Sequence, residues 1–390
     1  MDYKLYNSIN EIKIIGKSQS QVKKELYDLW RECFGDTKAY TDFYFTWKVE
    51  NNRIITIYRD KILSSMLHLN PYDIKVRGKN QRLNYIVGVA TRPEDRRKGL
   101  MRRLLETALN QMYEEKMPFT YLMPAAEGLY LPYGFRIIYK QPSWKQMFMH
   151  KDFKIIRDKD TAKKGEVSII RIKDTDEAKI QELTSFTEKY LEEHYEIYAK
   201  RTPYYYKRLI NEMKSCQGAV LLAEKDGNPI GYLAYMKDGG FGVAECIYKE
   251  EEKDLFFNAA VNEIGNDIYA NLSAFEDTPA IMARIVDFKA FIKNMSAKEE
   301  MTLTVKVKDE IIRANDGVYE LTFSKEGCKV VKTSKDPEFA ADISELTAFF
   351  FGRLKEKDIY RLTYPMGSKQ VRAKIDKINF YTKIFINEIV

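Results

Sequence analysis

The chain has 390 residues, which is too long for one ordinary domain, and 45% of them are hydrophobic and 31% charged, as in a folded globular protein. The formal net charge of +7 is modest for this length and does not indicate nucleic-acid binding. These values exclude a disordered or fibrous chain and favour two or three folded domains.

Targeting and metal-binding patterns are absent from the sequence. No run approaches the roughly 18 apolar residues that a membrane helix needs, and the first residues lack the pattern of a secretory signal. The four cysteines lie far apart, and none of the three histidines has a neighbour at metal-ligand spacing. We therefore expect a reduced, cytoplasmic protein with no metal, no membrane partner and no nucleic-acid partner.

Two segments about 155 residues apart read alike. Residues 11–15 and 166–170 are both short strand candidates. Each is followed by a polar stretch and then by a helical pattern, QVKKELYDLW in the first segment and EAKIQELTSF in the second. This similarity indicates an internal repeat.

A hairpin follows in each copy. In the first copy, RIITIYRDKILSSMLHLN predicts two strands with a turn at Asp60 and Lys61, and in the second, AVLLAEKDGNPIGYLAYM predicts a turn at residues 226–228. Residues 88–90 and 242–244 both read Gly-Val-Ala, at an offset of 154. The order strand, helix, hairpin, strand, helix predicts a mixed α/β fold in two copies, with a ligand site between the last strand and helix.

The stretch IVGVATRPEDRRKGLMRRLLETALNQM, residues 86–112, carries the clearest chemical signal. Its apolar strand ends at Pro93, and a helix from Gly99 onward places Leu100, Leu104 and Ala108 on one face. Three basic residues stand between strand and helix. A helix start attracts anions through its free N–H groups and dipole, and a glycine there lets a pyrophosphate approach the backbone.

A second interpretation of the basic cluster stays open. Arg96, Arg97, Lys98, Arg102 and Arg103 could form a solvated basic face or a nucleic-acid patch. Composition alone does not decide between that face and a phosphate-binding loop.

From about residue 295 the pattern changes to an antiparallel meander. Leu303, Val305 and Val307 alternate with polar residues, and the strands VYELTF and CKVVKT follow. The stretch ISELTAFFFGRL then predicts a helix packed on this sheet. We expect a third domain of α+β type.

The motif Arg96-x-x-Gly99-x-Met101 after an apolar strand resembles the coenzyme A signature of the GNAT acetyltransferases, with Met101 where Gly or Ala is usual. FTYLMPAAEGLYLPYGFRIIY resembles that family's next strand and its Tyr-x-x-x-Gly-Phe element, which begins here at Tyr130. The resemblance implies that acetyl-CoA is the co-substrate.

The whole chain resembles the Eis-like (enhanced intracellular survival) family of tandem-GNAT N-acetyltransferases. The resemblance implies a first GNAT lobe with the acetyl-CoA site at residues 1–150, a degenerate second lobe at 151–294, and a sterol-carrier-protein-like domain at 295–390. It also implies transfer of an acetyl group to a primary amine of a small polycationic molecule, such as a polyamine or aminoglycoside. The resemblance alone implies a homo-oligomer, with a hexamer as the form common in that family.

The site residues follow from the motif and the resemblance together. Tyr130 is the expected general acid, although with 27 tyrosines in the chain it could merely fill the core. The resemblance assigns the main-chain carboxylate of Val390 to accept the amine's proton, while the apolar tail could equally just end a strand. The residues expected to bind acetyl-CoA are Val89, Ala90, Thr91, Arg96, Arg97, Lys98, Gly99, Leu100, Met101 and Arg102.

Three acidic residues, Glu250, Glu251 and Glu252, occupy the corresponding helix start in the second copy and would repel a pyrophosphate. We therefore expect one active site per chain. The alternatives to acetylation of a small amine are a protein-lysine acetyltransferase, which predicts an open groove and not a deep acidic pocket, and a non-catalytic module that binds coenzyme A or lipid.

Overall fold

The computed structural model describes residues 2–6, 19–142, 167–238, 240–265, 280–363 and 368–388. The strand predicted at residues 11–15 and the domain boundary predicted between residues 150 and 151 lie outside these ranges. Within them, no helix combines the length and the apolar character that crossing a bilayer requires.

The first lobe is built on a long antiparallel hairpin whose turn is the predicted one. Asp60 and Lys61 have φ angles of 49° and 66°, which are the left-handed values of a tight two-residue turn. The helix predicted after Gly99 is present and buries Leu104 and Ala108 on its inner face. The elements of this lobe are β1 (Asp2–Tyr6), α1 (Gln19–Cys33), α2 (Lys38–Phe43), a π-helical turn (Tyr44–Lys48), β2 (Arg53–Arg59), β3 (Ile62–Val76), β4 (Lys79–Thr91), α3 (Leu100–Glu114), β5 (Phe119–Leu122) and β6 (Arg136–Lys140).

The second lobe repeats the predicted order of elements. Its hairpin turns at Asp226 and Gly227, whose φ angles are 51° and 74°, and its sheet has the order β11-β10-β9-β7. The lobe also contains a short strand and a helix between its first helix and the hairpin. Its elements are β7 (Ser168–Arg171), α4 (Glu177–His194), β8 (Ile197–Ala199), α5 (Pro203–Ser215), β9 (Ala219–Lys225), β10 (Asn228–Met236), β11 (Gly242–Tyr248) and α6 (Lys253–Ile264).

Two strands from the range predicted for the second lobe join the first sheet, and one of them, β8, pairs with β3. β12 (Ala280–Ile285) follows the second lobe in sequence but lies between β5 and β6, antiparallel to both, so the first sheet has the order β1-β2-β3-β4-β5-β12-β6. Residues 281–285 are all buried there. The range 151–294 predicted for the second lobe therefore contributes strands to two sheets. The sequence did not indicate this, because β12 pairs with strands that are distant from it in the chain.

The third domain contains the predicted meander and helix. Its sheet has the order β16-β15-β14-β17, and the helix that follows the sheet begins with a capping box formed by Asp342 and Glu345. The predicted helix over ISELTAFFFGRL ends at Phe350, because Gly352 turns the chain with a φ of 64°. The elements are α7 (Phe288–Ile292), β13 (Ser296–Ala297), β14 (Met301–Lys308), β15 (Gly317–Phe323), β16 (Cys328–Lys332), β17 (Phe339–Asp342), α8 (Ile343–Phe350), α9 (Glu356–Leu362), α10 (Lys369–Ile375), β18 (Ile378–Asn379) and β19 (Ile384–Phe385).

The tail of the chain, residues 384–388, returns to the two lobes. β19 pairs in parallel with β8, and β8 pairs with β3 of the first lobe. Tyr139 donates a hydrogen bond of 2.9 Å from its hydroxyl to Oδ1 of Asn387, and Gln141 donates to the same atom at 3.3 Å. The tail is therefore held between the two lobes by backbone pairing and by buried side chains.

Candidate functional site

Strands β4 and β5 diverge at the centre of the first sheet. In the described residues, Tyr85 and Tyr121 form the single recorded pair between these parallel strands. The register of β4 against β3 then shifts between Met66 and His68, opposite Gly88, whose φ is 60°. The bulge and the divergence open a cleft beside the segment that contains Val89, Ala90 and Thr91.

The basic loop, residues 96–99, lies at the end of this cleft strand and starts α3. Arg97 and Gly99 have left-handed φ angles of 62° and 74°, and all four residues are exposed. A Cβ added at Gly99 would meet no atom within 4 Å, so the approach to the helix start is open. The N-cap residue of this 15-residue helix, Gly99, has no side chain that could accept hydrogen bonds from the first N–H groups. These N–H groups are therefore available to an anion.

Asp95 holds the basic loop on the lobe. Nζ of Lys98 lies 2.8 Å from Oδ1 of Asp95, which also forms an ion pair with Arg59. The hydrogen bond from Lys98, followed by one from Ser64, keeps the pKa of the Asp95 carboxyl below its usual value, so this anchor is ionised at neutral pH. Nε of Arg96 donates a hydrogen bond of 3.2 Å to the carbonyl of Thr91.

The side chains of the other residues expected to bind the cofactor differ in their burial and in their partners. Ala90 and Leu100 are buried, so only the backbone of these two residues could contact a ligand, while Met101 is partly buried and packs on the apolar cluster beneath α3. Arg102 is exposed and forms an ion pair with Glu106 at 2.7 Å. Thr91 shares a hydrogen bond of 2.7 Å with Ser65.

Tyr130 lies between two short 3₁₀ turns, Glu127–Leu129 and Leu131–Tyr133, and is buried. Its ring contacts Phe135 edge to face at 6.0 Å. Burial raises the pKa of Tyr130 to about 12, so its hydroxyl keeps its proton at neutral pH.

An interlobe cavity of about 380 Å³ opens at the end of β5, where Met123 forms part of its wall. The backbone N–H of Met123 donates a hydrogen bond of 3.3 Å to the hydroxyl of Tyr85, a buried residue of β4. Tyr130 itself is not part of the cavity wall. The cavity therefore adjoins the diverging strands through Met123 and Tyr85.

Five carboxylates and two cations line the interlobe cavity, and they come from the first lobe, the second lobe and the tail. Together with buried Arg201 behind the wall, the cations number three, so carboxyl groups outnumber cations. The carboxylates are Asp36, Glu212, Asp238, Glu245 and Glu388, and the cations in the wall are Lys48 and Arg208.

Two buried cations form ion pairs with three of these carboxylates. Nζ of Lys48 lies 2.7 Å from Oε1 of Glu212, and the guanidinium of Arg201 lies 2.5 Å from Glu245 and 3.3 Å from Glu388. Burial raises the pKa of Glu245 to about 7 and also raises the pKa of Glu388, although Arg201 acts in the opposite direction on both. Burial outweighs the attraction to the shared guanidinium in both cases.

The remaining charged groups of the cavity have different surroundings. Among the described residues, neither Asp36 nor Asp238 has an ion-pair partner, although Oδ2 of Asp36 accepts a hydrogen bond of 2.8 Å from the indole of Trp30. The guanidinium of Arg208 lies over the ring of Tyr72, 4.7 Å from its centroid. Oε2 of Glu388 is buried without a hydrogen-bond partner in the described part of the chain.

The predicted catalytic carboxylate of Val390 lies outside the described residues, which end at Glu388 in the cavity wall. The residues of the cavity were not predicted from the sequence. Glu212, Glu245 and Glu388 stand in three unrelated segments, and no spacing or motif links them.

His68 and the four cysteines lie among the described residues. His68 is buried, and burial lowers its pKa to about 3, while Nδ1 lies 2.9 Å from the hydroxyl of Tyr44. The four cysteines are free thiols. In the residues that the structure describes, no three His, Cys, Asp or Glu side chains come together as a metal site would require.

Two family models match the chain. An acetyltransferase (GNAT) domain matches residues 15–138, and a sterol carrier protein domain matches residues 288–380. The comparison with curated proteins found no significant match.

Solved structures of similar chains show the same fold along the whole length. A probable N-acyltransferase from Enterococcus faecalis V583 is 18% identical, with a TM-score of 0.72 over 98% of this chain and 99% of the other. A GCN5-related N-acetyltransferase from Anabaena variabilis ATCC 29413 is 17% identical, with a TM-score of 0.69 over 100% of both chains. Eis1 from Mycobacterium abscessus is 13% identical, with a TM-score of 0.64 over 100% of both chains.

Proposed function

We propose that this chain, an acetyl-CoA-dependent N-acetyltransferase with a GNAT domain and a sterol carrier protein domain, acetylates a primary amine of a small polycationic molecule. The observation that carries the proposal is the adjacency of an open basic helix start, a diverging pair of strands and a cavity in which carboxyl groups outnumber cations. The first two features suit a pyrophosphate and an acyl thioester, and the third suits an ammonium group.

The residues of the basic loop fit the cofactor. Arg96, Arg97 and Lys98 would make charge-assisted hydrogen bonds to the pyrophosphate, and the backbone N–H groups that follow Gly99 would donate to the same group. The N–H groups around residues 89–91 would donate to the thioester carbonyl oxygen. Bound acetyl-CoA supplies an activated acetyl group, and the chain supplies orientation and protons.

Tyr130 is proposed as the general acid for the departing thiol. A pKa of about 12 keeps the hydroxyl protonated and able to donate. Because this value exceeds the ordinary pKa of a thiol, transfer to a free thiolate is uphill in itself, and it is driven by collapse of the tetrahedral intermediate as the carbon–sulfur bond breaks. Its place in the loop that follows β5, one of the two diverging strands, supports this role over that of a core-filling ring.

The shape of the acceptor site favours a small amine over a protein lysine. The interlobe cavity has walls from both lobes and from the tail, whereas a protein substrate would need an open groove. Several primary ammonium groups would complement its excess carboxylates. Acetylation of lysine in a folded protein remains the alternative, and it predicts little competition from diamines.

The second lobe is proposed not to bind acetyl-CoA. Glu250–Glu252 form a 3₁₀ turn before α6, at the place where the first lobe has its basic loop. Carboxylates there repel a pyrophosphate. One cofactor site per chain follows from this difference, while the homo-oligomer stays a prediction.

Removing the two carboxylates that lack an ion pair should weaken acceptor binding. We expect Asp36→Asn and Asp238→Asn each to raise the KM for a linear diamine about fivefold, because each loses an attraction of about 1 kcal/mol, with little change in the KM for acetyl-CoA. Steady-state kinetics with a diamine and a monoamine of equal length measure this. Asp226→Asn, in the exposed turn at the far end of β10, is the control. An unchanged KM for the diamine in both variants would contradict the assignment of the cavity.

The carboxylate of Val390, the last residue of the sequence, is proposed to accept the amine's proton through water. Glu388 places the chain in the cavity wall two residues earlier, and two extended residues span about 7 Å. We expect a short Gly-Ser extension after Val390 to lower turnover about tenfold at saturating substrates while acetyl-CoA affinity is kept. Adding the same extension before residue 1 is the control, and equal turnover in the two extended proteins would exclude this role.

A further inference from the structure

Arg284 is a buried cation that lies outside the interlobe cavity. It contacts the loop that contains Tyr130. It lies in β12, the strand that follows the second lobe and pairs within the first sheet, and its side chain is fully buried. Nε donates a hydrogen bond of 2.7 Å to the carbonyl of Tyr133, and Nη1 donates 2.9 Å to the carbonyl of Ile285. Tyr133 ends the turn that follows Tyr130.

The counter-ion of Arg284 belongs to the sterol carrier domain. Nη2 donates a hydrogen bond of 2.7 Å to Oδ1 of Asp309, whose side chain is also fully buried. The backbone N–H groups of Ile311 and Ile312 donate to the same oxygen at 3.0 and 2.9 Å, and Asn315 donates to Oδ2 at 2.9 Å. Both charges are thus satisfied by several donors and acceptors, which is what a buried pair requires.

The tyrosine loop, residues 127–135, folds tightly onto this pair. The carbonyl of Tyr130 accepts hydrogen bonds from the N–H groups of Tyr133 at 3.0 Å and Phe135 at 3.4 Å. Gly134 has a φ of 83°, and a Cβ added to it would lie 3.0 Å from Nε of Arg284 and 3.2 Å from Cγ2 of Ile343 in the third domain. The loop therefore has little room to shift without moving Arg284.

Apolar contacts connect the same groups. Ile312 is buried in one cluster with Tyr130 and Phe135, and Ile311 packs on that cluster. The hydrogen bonds from these two isoleucines to Asp309 hold the segment in place. The sterol carrier domain thus contacts the tyrosine loop through an ion pair on one side and through packed side chains on the other.

We propose that the Arg284–Asp309 pair positions Tyr130 for proton transfer, so that the sterol carrier domain is part of the catalytic scaffold of the first lobe. The proposal rests on the proposed role of Tyr130 as general acid. Arg284 acts here as a positioning residue, because it touches the loop backbone and not the reacting atoms. Small misplacements of a catalytic group can cost up to about 100-fold in rate.

The test is a double-mutant cycle with Arg284→Lys and Tyr130→Phe. Lysine keeps the positive charge opposite Asp309. It cannot donate hydrogen bonds to Tyr133, Ile285 and Asp309 at once, because it lacks the planar set of donors of a guanidinium. We expect Arg284→Lys to lower kcat between about 10- and 100-fold and to change the KM for acetyl-CoA less than twofold. In the Tyr130→Phe background the same change should cause less than a twofold further loss.

A matched control separates this effect from a loss of stability. Glu224→Gln breaks the ion pair between Lys179 and Glu224 in the second lobe, where Glu224 is buried, and should keep kcat within about twofold. Thermal unfolding of each variant shows which are folded at the assay temperature. If Arg284→Lys does not fold, Gly134→Ala is measured in its place, because it disturbs the same contact from the side of the loop. The same changes in kcat and KM are then expected.

Each outcome decides the question. An unchanged kcat in folded Arg284→Lys, or an equal loss with and without the Tyr130 hydroxyl, overturns the positioning role. If Arg284→Lys is unfolded, Gly134→Ala takes its place. An unchanged kcat in folded Gly134→Ala, or an equal loss with and without the Tyr130 hydroxyl, then overturns the positioning role. If Tyr130→Phe alone keeps full activity, the assignment of the general acid fails instead, and it does so independently of Arg284.

Discussion

Tyr130→Phe is expected to lower turnover between about 100- and 10,000-fold while leaving acetyl-CoA affinity within about twofold, because the change removes one hydroxyl and keeps the ring. The ring contributes to the apolar cluster that includes Phe135, so the fold is kept. Burial raises the pKa of Tyr130 to about 12, and its hydroxyl is protonated at neutral pH. Loss of the proton donor therefore affects the chemical step and not binding.

The measurement is steady-state kcat with saturating acetyl-CoA and amine, together with calorimetric titration of acetyl-CoA. Tyr113→Phe is the matched control, since Tyr113 is a partly buried tyrosine at the far end of α3. Wild-type turnover in Tyr130→Phe, with intact cofactor binding, would mean that Tyr130 only fills the core.

Arg97→Glu is expected to weaken acetyl-CoA binding about 100-fold. The variant loses a charge-assisted hydrogen bond, worth about 1.5–3 kcal/mol, and places a negative charge beside the pyrophosphate. Arg97 is exposed and has a φ of 62°, a value that glutamate adopts no less readily than arginine, so the loop itself should be kept.

Calorimetry measures this effect as the change in Kd. Arg82→Glu makes the same change in net charge on β4, at an exposed site paired with Asp73 and distant from the basic loop. A Kd for Arg97→Glu equal to that of Arg82→Glu would remove the basic loop from the cofactor site. A general electrostatic effect would weaken both variants alike, and it would decline as salt is added.

Much of the fold follows from local sequence patterns. The hairpin turn at Asp60 and Lys61, the inner face of α3 and the meander of the third domain each depend on residues that are close in sequence, and the structure contains all three. The basic loop was predicted for the same reason, because strand, proline, cations and helix follow one another within about 25 residues.

The parts that local patterns could not predict depend on non-local contacts. β12 is an apolar strand of six residues, and nothing in its composition indicates that it inserts between β5 and β6. The interlobe cavity unites Glu212, Glu245 and Glu388 from three segments, and Arg201 satisfies two of these carboxylates from a fourth. The contact between Arg284 and Asp309 arises from the same insertion.

The most direct test of the account is the release of free coenzyme A from acetyl-CoA by the intact chain, measured with and without a linear diamine, with the acetylated product quantified in the same samples. The account predicts release that depends on the diamine, one coenzyme A for each acetylated amine, and loss of both signals in Tyr130→Phe. Tight binding of acetyl-CoA without release in the presence of the diamine would contradict it.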